Sequence, residues 1–248
     1  MDLGIAGKRA AVAAATAGLG LSSAMALAAE GVEVVICGRD QERLDAAVAT
    51  IGHGARSVLA DVGTAAGAER FVVAASELLG GLDILVTNAG GPPAGNFAST
   101  SVDAYLPAVE LNLLSVVAMC KAAVPGMQAS GWGRVVAITS VSVRQPMANL
   151  ILSNTARAGT TAFIKTLARE VAADGVTANT IQPGLHATDR LTNLYGEGID
   201  QAVAEIPARL LGRPADFGAT VAFLCSDMAR FITGTNLHLD GGSYAGLL

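Results

Sequence analysis

Short apolar runs alternate with longer amphipathic ones along the chain. Arg9–Ala14, Val32–Cys37, Arg56–Ala60, Leu82–Thr87, Gly133–Thr139 and Val176–Gln182 predict strands. These runs are apolar throughout rather than alternating, as expected for a parallel sheet covered on both faces. Between them lie predicted helices: Leu19–Glu30 ending at Gly31, a segment capped by Asp40 and running to Ile51, and one reaching Leu79 before Gly80-Gly81. A long helix is predicted from Ser101 to Ala129, with Pro107 ending its first turn or kinking it. Leu152–Ala173 predicts another helix, Pro183 to Ile206 is less regular, Pro214–Met228 reads as helical, and Thr235–Leu239 as a last short strand. Repeated strand–helix units with right-handed crossovers give an α/β class: a single-domain, doubly wound (Rossmann-type) parallel sheet with helices on both faces. Without linkers or repeats, residues 1–248 read as one domain with a substrate-loop region near 184–212.

Composition narrows the function. With 52% hydrophobic and 15% charged residues the chain is not disordered, and so few charges predict an apolar surface that pairs with another subunit. A formal net charge of −5 argues against a general nucleic-acid binder. The Lys8-Arg9 pair reads as solvated surface. Cys37, Cys120 and Cys225 are far apart and lie in apolar runs, so buried free thiols are expected, and the scattered His53, His186 and His238 predict no metal site. The N-terminal segment lacks the pattern of a signal peptide, and no 18-residue apolar run free of charge or breaker predicts a membrane span. A cytoplasmic protein acting on a small-molecule substrate, without nucleic acid or membrane as partner, is the expectation.

The first predicted strand runs into Ala13-Ala14-Ala15-Thr16-Ala17-Gly18-Leu19-Gly20. Glycines here let the backbone turn tightly and approach a pyrophosphate, while the following helix offers free N–H groups and a positive dipole end. The second strand ends Cys37-Gly38-Arg39. No acid stands there to hold a ribose 2′-hydroxyl, Gly38 leaves space, and Arg39 can meet a 2′-phosphate, which favours NADP over NAD. Asp61-Val62 follows the third strand and Asn88-Ala89-Gly90 the fourth.

Taken in order, these segments resemble the short-chain dehydrogenase/reductase family over essentially the whole chain. Gly18 and Gly20 match the family's glycine turn, while Ala13 and Ala14 stand where its threonine and first glycine belong, which predicts an altered turn. The resemblance assigns cofactor contacts to Ala14, Thr16, Gly18, Leu19, Gly20, Asp61, Val62, Asn88, Ala89 and Gly90. Pro183-Gly184 with Thr188 resembles the segment beside the nicotinamide amide. Asn112 matches the helix asparagine that holds a water in the family's proton relay. The C-terminal region, ending in Asp240-Gly241-Gly242, usually packs across a tetramer axis, so a homotetramer is implied, with a dimer possible.

The catalytic half departs from the pattern. Ser140 matches the family's serine, but the places of its tyrosine and lysine hold Ser153 and Arg157. The chain's tyrosines are Tyr105, Tyr195 and Tyr244, and none realigns with the missing one. Arg157 offers a fixed fork and a permanent charge to a ribose but cannot exchange a proton. Three sources can supply the proton: a water held by Ser153, Ser140 and Asn112, or His186, or Tyr195. Arg144, just past Ser140, can bind an anionic substrate group. The resulting expectation is an NADP-dependent oxidoreductase acting on a C=O/CH–OH pair, similar in appearance to 3-oxoacyl-[acyl-carrier-protein] reductases. The alternative is a nucleotide-binding pseudo-enzyme or partner subunit without turnover.

Overall fold

The computed structural model describes residues 2–247. Seven parallel strands form one sheet: β1 (Arg9–Val12), β2 (Glu33–Gly38), β3 (Arg56–Leu59), β4 (Ile84–Thr87), β5 (Gly133–Ile138), β6 (Val176–Pro183) and β7 (Asn236–Leu239). Their order is β3-β2-β1-β4-β5-β6-β7. The chain reverses direction of winding between β1 and β4, and ligands of such sheets bind beyond the strand ends at that point.

The apolar runs of the strands have a direct physical reason. Ala10 and Val12 face one core with Ile36, Val86 and Ile138, while Ala11 and Ala13 face the other with Val35, Leu85 and Ala137. The first core is closed by α1 (Gly18–Ala29), α2 (Gln41–Ile51) and, after the short α7 (Asp189–Tyr195) and α8 (Ile199–Glu205), by α9 (Pro214–Leu224). The second is closed by α3 (Ala65–Leu79), α5 (Ser115–Ser130) and α6 (Ile151–Val171). Gly218 lets α9 press onto α1, because a Cβ there would collide with the Ser22 carbonyl.

The Asp40 carboxylate accepts from the Arg43 N–H as the cap of α2, as predicted. The long helix is less simple. It starts with a 3-10 turn, continues as α4 (Tyr105–Val109), passes through a π turn at Glu110–Leu114 and resumes as α5. Pro107 sits in its first turns, where a missing N–H costs little, so the irregularity lies at the π turn and not at Pro107. The stretch Val102–Ser130 is long and apolar enough to cross a membrane by length and composition, though Glu110 and Lys121 interrupt it, and Met119, Cys120, Val124 and Met127 of α5 are buried in the second core.

Lys8 and Arg9 also correct an expectation. Arg9 forms a two-toothed ion pair with Asp83 (2.8 and 2.9 Å) and donates to the Gly80 carbonyl, while Lys8 lies over the Trp132 ring. Burial pushes the Asp83 carboxyl up, but the hydrogen bonds and charge of Arg9 outweigh it and hold it below the usual carboxylate range. All three cysteines are buried and free.

Candidate functional site: a dinucleotide crevice beside a serine cluster

The turn after β1 is held from both neighbours. Ala13 N–H donates to the Val86 carbonyl and Ala15 N–H to the Cys37 carbonyl. Asn88 Nδ2 donates to the Ala14 carbonyl at 3.2 Å. Ala14 takes φ 48, a left-handed backbone that alanine adopts at a cost of about 1–2 kcal/mol. The alanine therefore takes up the positive φ that its methyl disfavours. Three strands and one asparagine impose the glycine-type conformation on it. Gly18 is also left-handed (φ 58), and α1 starts there with its first N–H groups unpartnered by any side-chain cap.

Gly20 cannot be replaced in this packing. A Cβ there would lie 2.7 Å from the Ala14 carbonyl oxygen and 2.9 Å from Asn88 Nδ2. Gly38 plays a matching role, because a Cβ there would collide with the Thr16 methyl. Leu19 packs against the first core and orients α1. Beyond Gly38, Arg39 is exposed and, among the described residues, has no ion-pair or hydrogen-bond partner. Asp61 accepts the Gly63 N–H, and Val62 is buried beside it. Thr188, after β6, leans toward Gly18, and Gly184 lets the β6 exit press against Asp240. The turn after β1 thus leaves the first N–H groups of α1 open, with the exposed Arg39 at the end of β2 and Asp40 engaged as the cap of α2.

The second cluster lies at the ends of β4 and β5. Arg157 donates from one nitrogen to the Ile138 and Thr139 carbonyls (3.0 and 3.2 Å) and from another, at 3.5 Å, to those of Ala89 and Gly90. It thereby ties the exits of β4 and β5 together. Burial, and then the charge of Arg190, lower its pKa to about 10, still far above neutral. Asn112, in the π turn, donates from Nδ2 to the Gly90 carbonyl at 2.9 Å. Its backbone carbonyl accepts the Thr160 hydroxyl, and its buried Oδ1 has no partner among the described residues.

Ser140 Oγ accepts the Ser142 N–H at 3.1 Å. An acceptor engaged in this way leaves its own O–H free to donate. Ser153, in the first turn of α6, is 4% exposed and makes no hydrogen bond among the described residues. The loop after β4 is pinned near it, with Gly95 N–H donating to the Asn149 carbonyl and Ile151 N–H to that of Gly95.

The other proton-donor candidates sit elsewhere. His186 is buried edge-on against Phe217 (5.3 Å between rings) with Nδ1 3.2 Å from the Gly184 carbonyl. Burial holds its pKa below the ordinary value, leaving a neutral ring at pH 7. A cavity of about 190 Å³ opens beside it, lined by Leu185, Leu210 and Asp240 and by no residue of the Gly18–Gly20 turn. Tyr195 ends α7, its phenol raised by burial and by Glu205. No hydrogen bond joins either to Ser140 or Ser153 among the described residues, and Arg144 is exposed. Sequence reasoning missed Thr160, Gly91 and Arg190. A Cβ on Gly91 would collide with the Arg190 guanidinium. The doubled glycine after Asn88-Ala89 was the available signal.

A family model described as Enoyl-(Acyl carrier protein) reductase matches residues 13–244. "Dehydrogenase/reductase SDR family member 4" of Sus scrofa is 36% identical over 245 residues, covering 95% of this chain and 87% of the relative. The 3-oxoacyl-[acyl-carrier-protein] reductase FabG of Vibrio cholerae is 33% identical over 242 residues, covering 98% and 99%. Among solved structures, L-sorbose reductase from Gluconobacter frateurii complexed with NADPH and L-sorbose has a TM-score of 0.92 and 31% identity, with both chains covered fully. A 7α-hydroxysteroid dehydrogenase complexed with NADH has the same TM-score at 27% identity, covering 100% of this chain and 98% of the other.

Proposed function

The chain belongs to the short-chain dehydrogenase/reductase family, and on that premise we propose that it is an NADP-dependent oxidoreductase that interconverts a carbonyl and an alcohol with a non-standard proton source. The observation that carries this reading is the turn after β1. Ala14 is held left-handed there, Gly20 is pressed against its carbonyl, and Arg39 stands unneutralised at the end of β2. A turn kept at the cost of a strained alanine fits retained nucleotide binding. NADPH-bound relatives such as L-sorbose reductase support the choice of cofactor.

Thr16, Gly18, Leu19 and Gly20 would hold the pyrophosphate against the N-terminus of α1, with Ala14 shaping the turn. Arg39 would hold the 2′-phosphate, Asp61 and Val62 would flank the adenine, and Asn88, Ala89, Gly90, Pro183, Gly184 and Thr188 the nicotinamide end. When bound, NADPH supplies a hydride to a carbonyl carbon. Ser140 donates its free O–H to the carbonyl oxygen. Arg157, permanently charged and tied to the strand exits, stabilises the negative charge that develops there. Its own proton does not move, because its pKa stays near 10.

The proton comes through a water held by Ser153, Ser140 and the unpartnered Oδ1 of Asn112, which gives one proton to the product oxygen and takes another from bulk solvent. Buried acceptors without protein partners are places where ordered water binds. The neutral, buried ring of His186 and the raised phenol of Tyr195, neither hydrogen-bonded to the serines among the described residues, leave the relay as the better-supported source.

We read the protein as cytoplasmic and oligomeric, most simply a homotetramer. Exposed Phe97, Val102 and Leu106 near α4, and Phe231 before β7, support burial of these faces by further subunits. Incubation with NADPH deuterated at the nicotinamide C4 and a panel of ketones tests the function. Deuterium at the carbinol carbon of the product alcohol is the expected result. NADPH binding with no deuterium transfer to any ketone would overturn it in favour of a nucleotide-binding pseudo-enzyme.

A further inference from the structure

Four arginines among the described residues have a carboxylate within ion-pair distance: Arg9, Arg56, Arg134 and Arg213. Burial holds three arginines below the ordinary value: Arg134, Arg157 and Arg190. For Arg134 the charge of Asp227, 3.6 Å away, works against burial. Arg157 and Arg190 have no such carboxylate, and Arg157 feels the positive charge of Arg190 instead.

Both guanidiniums converge on one loop. Arg157 reaches the Ala89 and Gly90 carbonyls, and Arg190 lies against Gly91, where any side chain would displace its guanidinium. Arg190 makes no hydrogen bond among the described residues. Arg190 itself is exposed at the mouth of the crevice, so the two like charges, with no acid between them among the described residues, leave room for an anion from solvent. In a chain with a net charge of −5, that arrangement is not a general property of the surface.

We propose that Arg190, with Arg157 behind it, binds the carboxylate of an anionic carbonyl substrate at the Gly90–Gly91 edge of the crevice. The inference rests on the oxidoreductase reading and adds the substrate class, a keto acid or its hydroxy acid. A cofactor phosphate is the other oxyanion at hand, but position favours the substrate. Thr188 faces Gly18 on the pyrophosphate side, whereas Arg190 faces Gly91. From Gly91 the loop continues to Gly95, pinned to Asn149 and Ile151 at the start of α6, two residues before Ser153. Arg190 presents a planar fork suited to two-point recognition of a carboxylate.

The test is calorimetric titration of the NADP+-saturated protein, which cannot reduce a ketone. The ligands are straight-chain keto acids of about four to eight carbons and their methyl esters. At least one acid should bind about tenfold more tightly than its ester, in line with a charge-assisted pair. Arg190→Gln should erase that advantage and leave ester and NADP+ affinities within about twofold, while Arg190→Lys should restore part of it. Equal binding, or no binding, of every acid and its ester would overturn the proposal. So would an Arg190→Gln loss of NADP+ affinity as large as the loss for the acid, which would assign the fork to a cofactor phosphate. Failure of the protein to bind NADP+ at all would instead tell against the oxidoreductase reading.

Discussion

The edge built from β1, β2 and β4 and the edge built from β5 and α6 have met sequence change in opposite ways. At the first, an alanine replaces a glycine, and the backbone keeps its left-handed shape because Val86, Cys37 and Asn88 hold it there. At the second, where the sequence resemblance leads one to expect a tyrosine and a lysine, Ser153 and Arg157 stand instead, and neither Tyr105 nor Tyr195 is hydrogen-bonded to them among the described residues. The difference follows from what each edge uses. Pyrophosphate recognition relies on backbone N–H groups and helix polarity, which survive a change of side chain. Proton transfer depends on one side chain's acidity and reach, which do not.

The largest effect should come from removing the space that the first edge preserves. Gly20→Val would drive side-chain atoms into the Ala14 carbonyl and Asn88. NADPH affinity, followed by fluorescence titration, should fall by about 100-fold or more, equivalent to about 3 kcal/mol, within the overpacking range. Retained affinity would show that the turn is not the nucleotide cradle. Next in size, Arg39→Ala should weaken NADPH by about tenfold and leave NADH nearly unchanged, the scale of one charge-assisted contact. Equal losses for the two cofactors would place Arg39 away from the 2′-phosphate.

A pH series sharpens the second edge. The folded pKa of His186 lies below 6.5 because burial disfavours the charged ring. The unfolded chain therefore takes up the proton first as pH falls. Stability present above pH 6.5 should be lost as the pH drops toward the folded value, by about 1.4 kcal/mol for each pH unit that separates the folded and unfolded values. The melting temperature of His186→Gln should vary less across this range than that of the wild type. The same loss with pH in the variant would assign it to another group. The smallest effect belongs to Ala14→Gly, which relieves the left-handed strain but loosens the unfolded chain, for a net gain of about 0.5 kcal/mol. That corresponds to a rise in Tm of about 1–2 °C in a chain of this size.

The sheet was legible in the sequence because buried parallel strands leave continuous apolar runs. The turns at the strand exits were legible because glycines and an asparagine follow those runs at fixed places. The π turn at Asn112 was not, since Glu110–Leu114 carries no breaker and the turn is associated with a tertiary contact from Thr160. The role of Arg9 was hidden for a similar reason, because its partner Asp83 lies 74 positions away. Arg157 stood out in the sequence by its spacing from Ser140, yet its four carbonyl partners come from two strand exits that no local pattern joins. Arg190 escaped because an arginine early in a short surface helix is ordinary until the fold sets it against Gly91.

The proposed carbonyl chemistry requires the serine cluster to act on a cofactor bound at the neighbouring edge. Carbonyl-dependent NADPH oxidation by Ser140→Ala, at saturating NADPH, tests it most directly. Turnover should fall about 10²–10³-fold below that of the wild type, the loss typical of one transition-state hydrogen-bond donor. Turnover equal to that of the wild type, or none in the wild type with any carbonyl, would contradict it.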